Sequence, residues 1–346
     1  MNEAISLDQY LAAYAGADPL RLAVARAVAG FAAAGIEVAG LVARGPHALG
    51  HAEVIGAGGG GDAQKALDLV AHDIVRARML EAGVGPFGSE EADDPEVLVA
   101  DGLVAVATDP LDGSSNIDAN VSVGTIFAIL PAAVDGDPLL QPGSAQLAAG
   151  YVIYGPHTDI VLTLGDGVVA FVLDRETGVW RQEVAPLAIP AETAEFAINA
   201  SNYRHWSPGT RQYFDDLING TEGIRAKDFN MRWIASLVAE TSRILSRGGM
   251  FLYPRDHRKG FGNGRLRLTY EANPIAMLVE QAGGRASDGV TRVLGIVPTE
   301  LHQRTPLYFG AVNEVIRLEL YKANPHLKDK APLFEGLDFG PDDARR

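Results

Sequence analysis

Between residues 97 and 173 the chain runs apolar and β-branched again and again, and turn residues close each run. The runs are 97–99 (VLV), 103–106 (LVAV), 121–130 (VSVGTIFAIL), 147–154 (LAAGYVIY), 159–164 (DIVLTL) and 168–173 (VVAFVL). Segments of this length, separated by turn chemistry, read as strands of one mixed sheet. Helical patterns flank them. Residues 18–35 form an alanine-rich amphipathic stretch that Asp18 and Pro19 open and Gly35 closes, and 64–82 reads as a second helix. A third helix is expected over 227–247, stopped by Gly248 and Gly249, and a short strand over 250–253. Residues 265–271 read as strand or as the approach to a helix, and 274–282 as a helix between Pro274 and Gly283. Sheet and helices together make an α/β protein. The segment 183–193 (EVAPLAIPAET) is a candidate boundary between an N-terminal lobe, 1–190, and a C-terminal lobe, 191–346. The polar tail after 330 is expected to be loosely held.

Composition removes several function classes. There is no cysteine, so disulfides, thiolate metal sites, cysteine nucleophiles and thiol switches are excluded. The net charge of −15 argues against a nucleic-acid partner, which needs a basic surface. It does not argue against a small phosphorylated ligand, since a few arginines and bound cations can make one site positive. The first residues, MNEAISLDQYLAAY, lack the basic start and apolar core of a signal peptide, and no run of about eighteen uncharged apolar residues suggests a membrane span. A cytoplasmic protein is the expectation.

The run GAGGGG at 56–61 matches the dinucleotide pattern G-x-G-x-x-G, but five glycines in six residues match almost any glycine motif. The strand that should follow its helix and end in an acid is missing. A flexible hinge that carries Asp62 is the better reading.

The stretch AVATDPLDGSSNID at 105–118 carries the chemistry. Two aspartates at the end of an apolar strand are costly unless a cation compensates them. Hard oxygens from Asp109 and Asp112, with the Leu111 carbonyl brought in by the Pro110 turn, suit Mg2+ or Mn2+. Gly113 allows close approach of a ligand, and Ser114 and Ser115 open a turn whose N–H groups and hydroxyls suit an anion. An Asp-rich turn with a serine cap would look the same in isolation. Further acids stand at other element ends: Glu90 and Glu91 in a loop one strand earlier, Glu271 in TYEANP, and Asp62 and Asp68 around a helix start. Acids at five such places fit a multi-metal site better than a solvated surface.

GDAQKALD at 61–68, SEE at 89–91, DPLDGSSNID at 109–118, GTIFAI at 124–129, GGMFLYP at 248–254, LRLTYEANP at 266–274, EQAGG at 280–284 and HQRTPL at 302–307 together resemble class I fructose-1,6-bisphosphatase. The resemblance runs in order from about residue 20 to about 315. It implies a layered α/β/α/β/α sugar-phosphatase fold in two lobes with mixed sheets, a homotetramer, and a place in gluconeogenesis or the Calvin cycle. The implied reaction is metal-dependent hydrolysis of the 1-phosphate of fructose 1,6-bisphosphate, without a covalent intermediate. Glu90, Asp109, the Leu111 carbonyl, Asp112 and Glu271 would ligate two or three Mg2+ ions. Asp68 and Glu91 would hold and deprotonate the attacking water, with Asp62 supporting a third ion. Asp112, Gly113, Ser114 and Ser115 would hold the departing phosphate. Asn199, Arg232, Trp233, Tyr253 and Arg265 would hold the sugar and its 6-phosphate, Arg232 reaching in from a neighbouring subunit.

The chain departs from the family pattern in places. Arg265 stands where many members carry lysine, and Trp233 where tyrosine is common. Asn199-Ala-Ser-Asn202-Tyr203 follows the family's N-E-G-(N)-Y loosely, which leaves Tyr203 open by one position as a phosphate contact. Leu103 and Val104 occupy the Lys-Tyr positions of the animal-type AMP site, so weak or absent inhibition by AMP is expected. The nearest alternative reading is a sedoheptulose-1,7-bisphosphatase or a dual enzyme. An inositol monophosphate or 3′-phosphonucleotide phosphatase, an inactive binding or regulatory relative and a nucleotide-binding module are more distant.

Overall fold

The computed structural model describes residues 5–45, 54–57, 63–183 and 187–325. Helix α1 (Leu7–Ala15) begins in a capping box, Ser6 and Gln9 each accepting a hydrogen bond from the other's backbone N–H. Helix α2 (Pro19–Arg44) starts at Asp18 and Pro19 as its sequence predicts, but it passes Gly35 and ends at Gly45, where φ is +62°. Gly35 does not stop the helix because it lies on a packed face. A Cβ there would sit 3.2 Å from both Val152 methyls and 3.6 Å from the Trp180 ring, so the missing side chain serves close approach. By length and hydropathy alone α2, at 26 residues, could cross a membrane. Here 61% of its most apolar window is buried in the protein, with Phe31 stacked on Phe127 at 4.3 Å between centroids.

Strands β1 (Val54–Ala57) and β2 (Ala63–Lys65) pair antiparallel. Gly56 and Ala57 therefore belong to an antiparallel strand pair, and among the described residues β1 is followed by strand β2 rather than by the helix of a dinucleotide site. The rest of the glycine run and Asp62 lie outside the described residues. Helix α3 (Ala66–Ala82) follows, and then β3 (Pro86–Ser89), β4 (Glu96–Val97), β5 (Val104–Asp112), β6 (Val123–Pro131), β7 (Ala148–Tyr154), β8 (Thr158–Thr163), β9 (Val169–Asp174) and β10 (Val179–Gln182). Of the strand expected at 97–99 only Val97 pairs. These strands form one sheet in the order β10-β9-β8-β7-β6-β5-β3-β4, antiparallel except where β3 meets β5.

The remaining elements are β11 (Glu195–Ile198), α4 (Pro208–Ile218), β12 (Asn230–Met231), α5 (Leu237–Arg247), β13 (Met250–Tyr253), β14 (Leu266–Arg267), α6 (Asn273–Gln281), β15 (Arg285–Ser287), β16 (Arg304–Thr305), β17 (Leu307–Gly310) and α7 (Val312–Ala323). A second mixed sheet has the order β12-β11-β13-β17-β15. Helices α1 to α3 cover one face of the first sheet. Helices α5 and α6 lie between the sheets, burying Ile275, Ala276 and Val279 with Ile126, Tyr151 and Val161 on one side and Phe251 and Phe309 on the other. Helices α4 and α7 close the outer face of the second sheet over Phe196, Ile198, Tyr213 and Tyr321. The result is the layered α/β/α/β/α architecture expected.

One helix is much shorter than predicted. Of 227–247 only Leu237–Arg247 is helical, and Asn230–Met231 is strand. The Arg232 N–H donates to the Phe196 carbonyl at 2.8 Å, so the chain is still pairing there. Ala235 then adopts φ +62°, and Ser236 caps α5 by accepting from the Ala239 N–H at 3.4 Å. The apolar residues that suggested an earlier start pack elsewhere, Trp233 on Phe251 of β13. At 265–271 both readings hold in part: β14 is followed by a π-helical turn, Leu268–Ala272, that carries Glu271 into α6.

Candidate active site

The site grows out of the end of β5, where every residue is buried. Asp109 pairs with Ile126 and Asp112 with Gly124, so the β5 side has one residue more than β6 and bulges. Pro110 cannot donate to the ladder, and its carbonyl instead accepts from Thr125 Oγ1 at 2.8 Å. Asp109 Oδ1 accepts from the Leu111 N–H at 2.9 Å, fixing the turn that brings both aspartates to one place. Gly113 then takes φ +77° and leads into the 3-10 turn Ser114–Ala119. That turn is tied to the segment ahead of α5, since Asn116 Nδ2 donates to the Ala235 carbonyl at 2.7 Å. The N-terminus of α5 points at the same cluster, and the Val238 N–H donates to Asp112 Oδ2 at 3.1 Å. Gly124 permits this approach, because a Cβ there would meet the Val152 carbonyl at 2.4 Å and Val238 at 2.7 Å.

Glu271 comes from the far side of the fold. Asp109, Asp112 and Glu271 are all buried, and their ligand oxygens lie within 4.8 Å of one another. Burial, and then the charges of Glu90, Asp112 and Glu271, push Asp109 well above the usual carboxylate range. Burial raises Asp112 to about 7 and Glu271 to about 8, against hydrogen bonds that favour their charged forms. Each carboxylate is thus aimed by a backbone N–H and yet held against its neighbours. Oxygen donors without imidazole or thiolate, packed this closely, fit a hard divalent cation.

Of the other residues singled out in the sequence, Asp62 lies outside the described residues, and Glu90 lies beside this cluster. Glu90 joins it through Arg267, a buried guanidinium 3.1 Å from Glu90 and 4.0 Å from Glu271, whose own N–H also donates to Glu271. Asp68 is buried in the first turn of α3. The Glu91 N–H donates to Ser89 Oγ at 3.3 Å, and Ser89 Oγ bonds His72 Nδ1 of α3 at 2.8 Å. A second group lies at the second sheet. Strands β12, β11 and β13 run parallel, so Arg232, Asn199 and Tyr253 all stand at their C-terminal ends. Trp233 stacks on Phe251 and meets Tyr253 edge-on at 6.1 Å. The Arg265 guanidinium lies 3.8 Å over Phe261 and 5.9 Å from the Tyr253 ring. Asn199 Oδ1 accepts from Ser201 Oγ at 2.6 Å. The Tyr203 hydroxyl donates to Asp215 at 2.9 Å, inside the aromatic group of Trp206 and Phe214.

Two residues escaped the sequence reading. Arg267 stands in LRLTYE and His302 opens HQRTPL, motifs noted as wholes without roles for these positions. His302 bridges the Tyr270 hydroxyl at 2.8 Å and the Ala92 carbonyl at 3.0 Å, tying the loop after Glu91 to the segment that carries Glu271. Arg267 is the one cation shared by the cluster's acids among the described ion pairs. Replacing it with Gln is expected to destabilise the cation-free protein by about 3 kcal/mol, since it leaves buried carboxylates without their countercharge. Urea unfolding in EDTA and in saturating Mg2+ checks this: the deficit should shrink when the cation is present.

Such a layered α/β fold, closed around three buried carboxylates that could hold a metal ion, has the architecture of the sugar phosphatases. Family models described as the N-terminal and C-terminal domains of fructose-1-6-bisphosphatase match residues 28–184 and 189–323. The chain belongs to the fructose-1,6-bisphosphatase family. It is 52% identical to the class 1 fructose-1,6-bisphosphatase of Azorhizobium caulinodans, over 92% of this chain and 99% of that one. It is 50% identical to a class 1 enzyme of Xanthobacter autotrophicus, over 93% of this chain and 100% of that one. The holo crystal structure of Leishmania major fructose-1,6-bisphosphatase superposes with a TM-score of 0.85 at 33% identity, covering 93% of this chain and 99% of that one.

Proposed function

We propose that this chain hydrolyses the 1-phosphate of fructose 1,6-bisphosphate, releasing fructose 6-phosphate and phosphate. The observation that carries the reading is the convergence of Asp109, Asp112 and Glu271 within 4.8 Å at the bulged end of β5. Glu90, Asp109, the Leu111 carbonyl, Asp112 and Glu271 would hold two or three Mg2+ ions, with Mn2+ as a substitute. When bound, such ions neutralise the phosphate dianion, lower the pKa of water and stabilise the leaving alkoxide. Asp68 and Glu91 would position the attacking water and take its proton, and Asp62 would support a third ion. The water oxygen would add to phosphorus as the bond from phosphorus to O1 breaks, O1 taking a proton from solvent, so no enzyme ester forms. Gly113, Ser114 and Ser115 cradle the departing phosphate with backbone N–H groups and hydroxyls, beside Asp112.

Residues 1–190 form the lobe of the metals and the 1-phosphate, and 191–346 that of the sugar and the 6-phosphate. Asn199, Trp233, Tyr253 and Arg265 hold the sugar end, and Arg232 reaches it from a neighbouring copy in a homotetramer. The setting is cytoplasmic sugar metabolism, through gluconeogenesis or the Calvin cycle. Sedoheptulose 1,7-bisphosphate is the competing substrate, and the names of the relatives disfavour it.

Phosphate release from both sugars, with and without Mg2+, tests the reading. Cation-dependent release, faster from the fructose ester, is expected. Faster release from sedoheptulose 1,7-bisphosphate would move the assignment to that sugar, and no release from either would overturn it.

A further inference from the structure

Glu195, the first residue of β11, gathers three arginines. Its Oε1 accepts from Arg232 Nε at 3.1 Å and from Arg247 Nη2 at 2.6 Å, and its Oε2 accepts from Arg243 Nη1 at 3.0 Å. Arg243 also bonds Glu240, which in turn accepts from the Ile234 N–H at 2.6 Å. Two carboxylates thus serve three guanidiniums, which leaves this spot positive on a chain of net charge −15. Burial would raise the Glu195 carboxyl, but the arginines outweigh it and hold the group below its usual range, so it is anionic at neutral pH.

Arg232 is pinned at several points. Its N–H is paired with Phe196, and the Asn230 carboxamide, turned oxygen-first, accepts from Nη2 at 3.1 Å. The side chain remains 44% exposed. One edge of the guanidinium is therefore engaged within the chain while donors remain for a ligand. Recognition of a phosphate by arginine depends on the direction and plane of that fork, and a freely rotating side chain must be ordered at the moment of binding.

We propose that Glu195 is the positioning residue of Arg232: by holding the Nε edge it aims the remaining donors at the second phosphate of the substrate. It thereby sets the preference for a sugar bisphosphate over a monophosphate. The proposal rests on the reading of Arg232 as a phosphate ligand. Glu195 itself touches no substrate. Two effects of its charge oppose each other, since removing it would strengthen the local positive potential while releasing the guanidinium. Glu195 would stand one guanidinium away from that phosphate, and the direction in which KM moves reads which of the two effects governs.

The test compares fructose 1,6-bisphosphate with fructose 1-phosphate in the full-length protein. Glu195→Gln should lower kcat/KM for the bisphosphate by about 5- to 20-fold, through KM, as expected for loss of one aimed charge-assisted contact. Turnover of fructose 1-phosphate should be unchanged. Glu195→Asp should lie between the two proteins, and Glu195→Gln added to Arg232→Ala should cost nothing further. An equal fall on both substrates, or a KM for the bisphosphate that drops, would overturn the proposal. If Arg232→Ala alone spares the preference for the bisphosphate, the assignment of Arg232 fails and the role of Glu195 falls with it.

Discussion

Asp112→Asn should abolish cation-dependent phosphate release, by about a thousandfold or more, while making the cation-free protein more stable. The loss of activity follows from the donor set. Asp112 is one of three buried carboxylates whose oxygens lie within 4.8 Å, and a neutral amide is a poor ligand for a hard cation. Several kcal/mol of transition-state stabilisation would disappear with the ion, at about 1.4 kcal/mol per factor of ten. The gain in stability follows from the same geometry. Asparagine fills the same space, and its carbonyl oxygen can still accept from the Val238 N–H that Asp112 now engages at 3.1 Å. It removes one of the charges that repel one another in the cluster. Thermal melting in EDTA at pH 8.5, where Asp112 is ionised, should show a midpoint about 2 °C or more above that of the parent, with the order reversed in Mg2+. A variant that is less stable in EDTA would show that the carboxylate is not in conflict with its neighbours.

The second large effect is on pH. In the folded, cation-free chain Asp112 titrates at about 7 and Glu271 at about 8, both raised by burial from ordinary values of 3.8 and 4.5. Between those limits the folded chain holds more protons than the unfolded chain. The contribution of these groups to stability is therefore complete below about pH 4 and is lost as pH rises through 7 and 8. A bound cation requires the ionised forms, so its stabilising effect runs the other way and grows with pH. The rise in Tm on adding saturating Mg2+ should be clearly larger at pH 8.5 than at pH 6. Apparent cation affinity should increase up to about tenfold per pH unit for each proton released. A Tm rise that does not change with pH would show that the carboxylates are already ionised in the cation-free fold.

The parts of this site that could be read from sequence are those where chemistry and local pattern coincide. A proline between two aspartates at the end of an apolar strand announces both a turn and a ligand pair, and the bulge at Asp109–Asp112 is its structural form. The α/β class was legible from the period of the apolar runs, and the layering from family resemblance. Helix ends were harder. Gly35 looks like a stop until Val152 and Trp180 are seen packed against it. The start of α5 was misplaced because Arg232 N–H pairing with Phe196 depends on a strand more than a helix length away in the chain. Helices α1, α4 and α7 were not anticipated. Arg267 and His302 carry no signal of their own, since their partners Glu90, Glu271, Tyr270 and Ala92 meet only after folding. Glu195 belongs to the same kind: three arginines converge on it, one just after β12 and two from α5, and nothing in its neighbourhood along the chain marks it.

Helices α5 and α6, lodged between the two sheets, also bear on how the protein is made. The ribosome delivers the eight-stranded sheet first, with Ile126, Tyr151 and Val161 facing a layer that has not yet been synthesised. Asp109 and Asp112 emerge with it, long before Glu271 and Arg267 arrive to complete the cluster. Until then the nascent sheet presents a bare apolar face and an acid pair without its countercharge, a state prone to aggregate. A chain cut or stalled ahead of α6 would be a burden on chaperones rather than a smaller working protein. The shared middle layer thus makes translation through α6 a condition of covering that apolar face as well as of completing the acid cluster.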